Sequence, residues 1–336
     1  MPRATRGAPP FVSSSDREYT PGVPLLETVP NLSEGQNEEV IAAVTAALAS
    51  AGGVRLLDVS SDPDHNRSVM SAVGEAACLE VGLLRMYEAA LAQIDLSRHA
   101  GAHPRIGVVD VVPFVPLEGS SMEVAVAAAE SLGRRVGEEI GIPVFLYGEA
   151  TAGSEPRPPA FLRSGGVDAL ANRLVEGEIR PDFGPGEIDP HRGATLIGAR
   201  GSMVAFNVIL SDSNPEPARA IARAIRERDG GLPGVQALGL ALPRRRATQV
   251  SVNLFEPVET TLYAVLTRIQ EQAQAVGVEV VESEIVGLVP EAALLRSAAQ
   301  ALRLPLLERR QVLEAQLARN PPQGAAAGPR SSLKTS

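Results

Sequence analysis

The stretch best equipped for chemistry is Gly101-Ala102-His103-Pro104-Arg105-Ile106-Gly107. An imidazole titrates near neutral pH, so His103 suits a general base that takes and returns a proton. Pro104 disfavours the helical region for His103 and holds it extended before a strand. Arg105 adds a guanidinium that keeps its charge. Gly101 and Gly107 leave the backbone on either side unobstructed. An ordinary turn histidine fits the same residues, so the stretch by itself only nominates a base.

Other chemistries lack their residues. His65, His99 and His191 are the remaining histidines, and none pairs with another residue at zinc-ligand spacing. Asp58, Asp62 and Asp64 resemble calcium ligands in spacing. The following Gly and distal Glu of an EF-hand are missing, so this reads as a solvated turn. No G-x-G-x-x-G follows a strand, and neither a Walker sequence nor a G-x-S-x-G elbow is present. What remains are polar loops at strand ends: residues 31–35, 62–67, 103–105, 184–193 and 198–200. The glycines of 184–193 let backbone approach a planar ligand, and a surface linker between halves fits them equally. Arg244-Arg245-Arg246 reads as a solvated hairpin turn.

Composition narrows the class. The 336 residues suggest two domains. Hydrophobic residues make up 44 %, a globular proportion. Aromatics are 3 % with no Trp, which argues against base-stacking platforms. The net charge of -9 leaves no global basic footprint for nucleic acid. An anionic small substrate would need a locally positive pocket. Cys78 is the single cysteine, so no internal disulfide forms and a cytoplasmic setting fits. No apolar run is long enough to span a membrane, and the first 21 residues lack a signal-peptide core.

Periodicity supplies the elements that would position these residues. Strands are expected at 24–30, 54–59, 68–73 and from 106, with helices at 37–50 and 75–94. The order is β-α-β-β-α-β, the ferredoxin-like or split βαβ pattern. A helix at 121–140 and a strand at 143–147 follow. Residues 155–180 carry enough Pro and Gly to read as irregular. The first order then returns: strand 203–210, helix 215–228, strands 235–242 and 248–255, helix 259–276, strand 278–283. Helices at 290–301 and 305–317 close the chain. The expected organisation is a disordered arm at 1–22, subdomains at 23–202 and 203–319, and a disordered tail at 320–336.

Seven stretches in order carry a resemblance. They are Val29-Pro30-Asn31-Leu32-Ser33-Glu34-Gly35, Asp62-Pro63-Asp64-His65-Asn66-Arg67, His103-Pro104-Arg105-Ile106-Gly107, Leu146-Tyr147-Gly148-Glu149-Ala150, Pro181-Asp182-Phe183-Gly184-Pro185, Gly193-Ala194-Thr195 with Gly198-Ala199-Arg200, and Glu284-Ile285-Val286-Gly287-Leu288-Val289-Pro290. From about Pro24 to Leu317 the chain resembles the glutamate formiminotransferase family, the transferase portion of formiminotransferase-cyclodeaminase. The resemblance implies an α+β fold of two ferredoxin-like subdomains with a substrate channel between them, and a homodimer. It implies transfer of a formimino group from N-formimino-L-glutamate to N5 of tetrahydrofolate, a co-substrate, late in histidine breakdown. No metal, nucleic acid or membrane is implied.

The same resemblance assigns residues. His103 is the expected catalytic base, with Arg105 beside it. Folate contacts map onto Gly184, Pro185, Gly186, Glu187, Ile188, Asp189, Pro190, His191, Arg192 and Gly193, and onto Gly230, Gly231, Gly234 and Gly239. Asn31, Asp62, Asn66, Arg67 and Arg200 are the other expected substrate contacts. One departure is visible. The family commonly carries Asp-Val-Asp where this chain reads Asp58-Val59-Ser60, so Asp62 or Asp64 would have to orient the base. Formyl transfer from N-formyl-glutamate and folate binding without turnover remain open beside formimino transfer.

Overall fold

The computed structural model describes residues 23–101, 104–151, 158–255 and 257–319. His103 and both expected arms lie outside them. The first half opens with β1 (Leu26–Thr28) and β2 (Asn31–Leu32), then α1 (Glu38–Ala49), β3 (Arg55–Asp62), β4 (Arg67–Gly74), α2 (Ala76–Leu91) and β5 (Val109–Pro116). The expected strand at 24–30 shortens to β1 and ends before Pro30, which has no amide hydrogen to continue a ladder, while β2 forms where a polar loop was expected. Both strands pair with β4 and β5. Asn37 caps α1, accepting from the amides of Glu39 and Val40 at 3.1 and 3.2 Å. Ile41, Val44 and Leu48 form its buried stripe.

The expected loop at 60–67 is a correction. β3 continues through Asp62, which pairs with Arg67, so only a tight turn remains. Asp62 Oδ1 closes that turn by accepting from the amides of Asp64 and His65 at 2.8 and 2.9 Å. Asn66 adopts a left-handed conformation there, with φ 48°.

The first half then extends its sheet. α3 (Met122–Arg135) runs on into a π turn, Val136–Ile140, and β6 (Val144–Gly148) follows. Residues 158–180 are not irregular. They hold α4 (Pro159–Arg163) and α5 (Gly166–Val175). Pro159 sits at the first position of α4, where a missing amide hydrogen costs nothing. The Pro and Gly there mark helix ends rather than an absence of helix. β7 (Thr195–Ala199), unread in the sequence, slots between β5 and β6 and runs parallel to both. It is buried throughout, so it shows no alternation.

α1, α2 and α3 pack on one face of this seven-stranded sheet, around Val44, Leu83, Tyr87, Phe114 and Leu132. α4 and α5 cover part of the other face, packing Leu162 and Leu170 on Phe145 and Leu196.

The second half holds β8 (Met203–Leu210), α6 (Pro215–Ile225), β9 (Val235–Leu242), β10 (Ala247–Phe255), α7 (Leu262–Ala275) and β11 (Val280–Val286). Its four strands are antiparallel in the order β11-β8-β10-β9. α6 and α7 bury Ile221, Ile225, Val265 and Ile269 against Phe206, Val208, Val252 and Leu254. α8 (Glu291–Ala301) and α9 (Leu313–Arg319) follow. The expected helix at 305–317 starts only at Leu313, because a capping box between Glu308 and Gln311 closes a separate 3₁₀ turn first. Among the described residues no helix is long and apolar enough to cross a membrane.

Each sheet has one face without covering helices at its centre, and these faces bound a cleft of about 4720 Å³. β3 and β4 turn Asp58, Ser60, Asp62, Arg67, Val69 and Ser71 into it. β8, β10 and β11 contribute Asn207, Ser251 and Glu284. At one rim Arg244 Nε lies 3.8 Å from Asp64 Oδ1, joining the two hairpin turns.

Candidate functional site

The segment that carries His103 is held from both sides. On one side stands the β3–β4 turn. Arg105 Nη2 donates to the His65 carbonyl at 2.7 Å, and Nη1 donates to the Asn66 carbonyl at 3.0 Å. Asn66 Nδ2 answers with a bond to the Ala100 carbonyl at 3.0 Å, while its Oδ1 accepts from the Gly35 amide at 2.9 Å. Gly101 is required at this crossing, since a Cβ would run into the His65 carbonyl. On the other side stands the stretch from Gly184 to Gly193. The Leu96 and Val108 amides donate to the His191 and Arg192 carbonyls at 2.9 and 3.1 Å, and the Ala194 amide donates to the Ile106 carbonyl at 2.7 Å. Gly107 lets these backbones meet, since a Cβ there would strike the Ala194 carbonyl.

Within this clamp His99 lies against Arg105, whose Nη1 donates to His99 Nδ1. Burial and the Arg105 charge push the His99 imidazolium down to about 4, so the ring is neutral at physiological pH. His65, 7 % exposed, is likewise lowered, mainly by burial, although Asp62, Glu284 and Asp64 oppose the shift. His65 Nδ1 lies 3.6 Å from Asp62 Oδ2. Glu284 enters from the second half, held by Asn207 Nδ2 at 3.1 Å.

Pro104, next in sequence to His103, lines the cleft, as do Asn31, Asp62, Arg67 and Arg200. Arg67 Nη2 donates to Asn31 Oδ1. Arg163 reaches in from α4 to Asp110 at 2.5 Å. Tyr147 sits beside Arg200 and Arg163. Burial raises its phenol, and a hydrogen bond to Arg200 partly offsets this. The wall thus sets Arg67, Arg163 and Arg200 beside Asp58, Asp62 and Asp64, giving an anionic group cations to pair with.

Several expected contacts fall elsewhere. The Arg105 guanidinium, expected to orient substrate, ties down backbone carbonyls. The stretch Gly184, Pro185, Gly186, Glu187, Ile188, Asp189, Pro190, His191, Arg192 and Gly193 braces the His103 segment and is not among the residues lining the cleft. Within it, exposed His191 pairs with Asp95 at 2.9 Å and is raised by that hydrogen bond. Gly230, Gly231 and Gly234 shape the turn before β9 and likewise do not line the cleft. Gly239 lies in β9, where a Cβ would strike the backbone of Ala218 and Arg219 in α6, so its smallness serves strand–helix packing.

The sequence reading missed Asp110, Arg163 and Tyr147. Asp110 did carry a signal, a lone carboxylate inside the apolar run Val108-Val109-Asp110-Val111-Val112, where a charge must find a partner. Arg163 carried none.

Residues 25–200 match the family described as the formiminotransferase domain, N-terminal subdomain, and residues 205–314 match the formiminotransferase domain. The chain is 41% identical over 292 residues to the glutamate formimidoyltransferase of Thermoplasma acidophilum, covering 86% of this chain and 96% of that protein. It is 37% identical over 291 residues to the glutamate formimidoyltransferase of Streptococcus pyogenes, covering 86% and 97%. It is also 44% identical over 283 residues to the formimidoyltransferase-cyclodeaminase of Sus scrofa, covering 82% of this chain and only 52% of that longer relative. The two adjoining family matches, on a fold whose cleft is lined by residues of several of the sequence motifs, establish that the chain belongs to the formiminotransferase family.

Proposed function

We propose that this chain is a glutamate formimidoyltransferase, moving the formimino group of N-formimino-L-glutamate to N5 of tetrahydrofolate in histidine degradation. One observation carries the reading most. Pro104, next in sequence to His103, lines a cleft wall that bears Arg67, Arg163 and Arg200, and Arg105 after it is tied to the Asp62–Arg67 motif. The chemistry needs two proton movements: one leaves N5, and one reaches the departing glutamate nitrogen. A histidine titrating near neutrality performs both in turn, and His103 takes that role. The arginines neutralise substrate carboxylates and hold the two substrates together. Tetrahydrofolate is a co-substrate, and the stretch from Gly184 to Gly193 is its proposed contact beside the base.

Both halves follow the β-α-β-β-α-β order, and we read each as a ferredoxin-like layer, with subdomains at 23–202 and 203–319 and the cleft as the substrate channel. A homodimer in the cytoplasm completes the proposal. The deciding experiment incubates the protein with tetrahydrofolate and either N-formimino-L-glutamate or N-formyl-glutamate, and follows the 5-substituted product. Formimino product is expected. Formyl product alone would reassign the donor, and folate binding with neither product would leave a binding module.

A further inference from the structure

The cleft wall that bears Pro104 brings two guanidiniums close to one buried carboxylate. Arg67 of β4 and Arg163 of α4 both line the cleft. Asp110 lies between them. Its Oδ2 is 2.5 Å from Arg163 Nη2, with the two side chains only 3 % and 13 % exposed. Its other oxygen already accepts from the Ile106 amide at 2.8 Å. Arg163 and Arg105 repel the Arg67 charge while Asp110 attracts it, and Asp110 and Glu34 both attract Arg105. Burial, the largest cause, and this repulsion draw Arg67 down to about 9. Among the described residues Arg163 Nε is enclosed with no hydrogen-bond partner. Like charges drawn together out of water are costly, and a bound anion offsets that cost.

We propose that Arg67 and Arg163 form a pocket for one carboxylate of a glutamyl group, with Asn31 and Asp110 holding the two guanidiniums in register. Two guanidinium forks from different elements match a carboxylate's oxygens and fix its orientation. The glutamyl identity rests on the transferase reading; the pocket itself does not. Such a group comes from the formimino donor or from the glutamate tail of the folate.

The test begins without turnover. Glutarate is titrated into the protein by calorimetry. Wild type binds it, and Arg163→Gln weakens binding by roughly 10- to 100-fold, the worth of one charge-assisted hydrogen bond. Arg163→Lys also weakens it, because a point charge lacks the fork. Since Arg163→Gln strands a buried Asp110, the double variant Asp110→Asn/Arg163→Gln removes both charges. A cooperative melt confirms its fold, and its glutarate binding stays weak. Wild-type glutarate affinity in the folded double variant overturns the pocket.

Kinetics then separate the sources. If the donor occupies the pocket, Arg163→Gln raises the KM for N-formimino-L-glutamate and leaves that for tetrahydrofolate. If the tail occupies it, tetrahydrofolate weakens, and tetrahydropteroate, which lacks the tail, is insensitive to the variant. A wild type without turnover would sink the transferase reading, and the glutarate titration would still decide the pocket.

Discussion

The two halves share an order of elements and differ in what they do with it. The second half stops at four antiparallel strands and two covering helices. Its cleft face carries Asn207, Ser251 and Glu284. The first half adds β7 and β6 to its sheet and lays α4 and α5 across the open face. That addition brings Arg163 to Asp110 and Arg200 to Tyr147, and creates the strand edge that Gly193 and Ala194 follow past Ile106. A shared order of elements thus yields a plain wall in one half and the candidate site in the other. The difference lies in the extension, not in the repeated unit.

His103→Ala tests this division most severely. Turnover should fall roughly 10²- to 10⁴-fold, the usual worth of a general base, with folate binding largely kept. Near wild-type turnover would remove the first half's claim to the chemistry. Gly239→Val probes the wall. Its side chain would strike the α6 backbone, and overpacking of this kind costs about 1–3 kcal/mol. Thermal melting should fall while kcat per folded molecule holds. A kcat loss with unchanged melting would put chemistry in the second half.

Ser60→Asp sharpens the comparison inside the first half. Ser60 pairs with Val69 and lines the cleft with Asp62 and Arg67. A carboxylate there favours imidazolium, so the acidic limb of the pH–rate profile should move upward. A profile superimposable on wild type would show that position 60 does not reach His103. The smallest effect belongs to Arg244→Ala, at the rim where the halves meet. The 3.8 Å pair with Asp64 has an Arg side chain 59% exposed, and exposed pairs are worth about 0–1 kcal/mol. A larger loss of stability, suppressed by salt, would reveal a latch between halves.

Legibility in the sequence followed local physics. β8 and β9 were read to the residue because each is a short, mostly apolar run bounded by turn residues. β7 was not, since all five of its residues are buried and Gly198 interrupts them. α4 and α5 hid behind prolines and glycines that in fact start them. The motif at Asp62–Arg67 stood out as a string, yet its closure into a turn depended on one Asp side chain. Arg163 was invisible because its partner is 53 residues away, and no local pattern encodes that pairing.

The position of β7 has a consequence for biosynthesis. Among the named strands of the described residues β6 pairs with β7, besides a bridge from Val144 to Phe183, and β7 is translated later, after α4, α5 and the stretch from Gly184 to Gly193. Synthesis proceeds at about 5–20 residues per second, so the nascent chain carries apolar Val144, Phe145 and Leu146 on an unsatisfied edge for seconds. The parallel pairing that rescues them is non-local and slow to close. A ribosome stalled between these two strands therefore presents the most aggregation-prone state of this chain, and the covering helices reach their sheet only after that gap is filled.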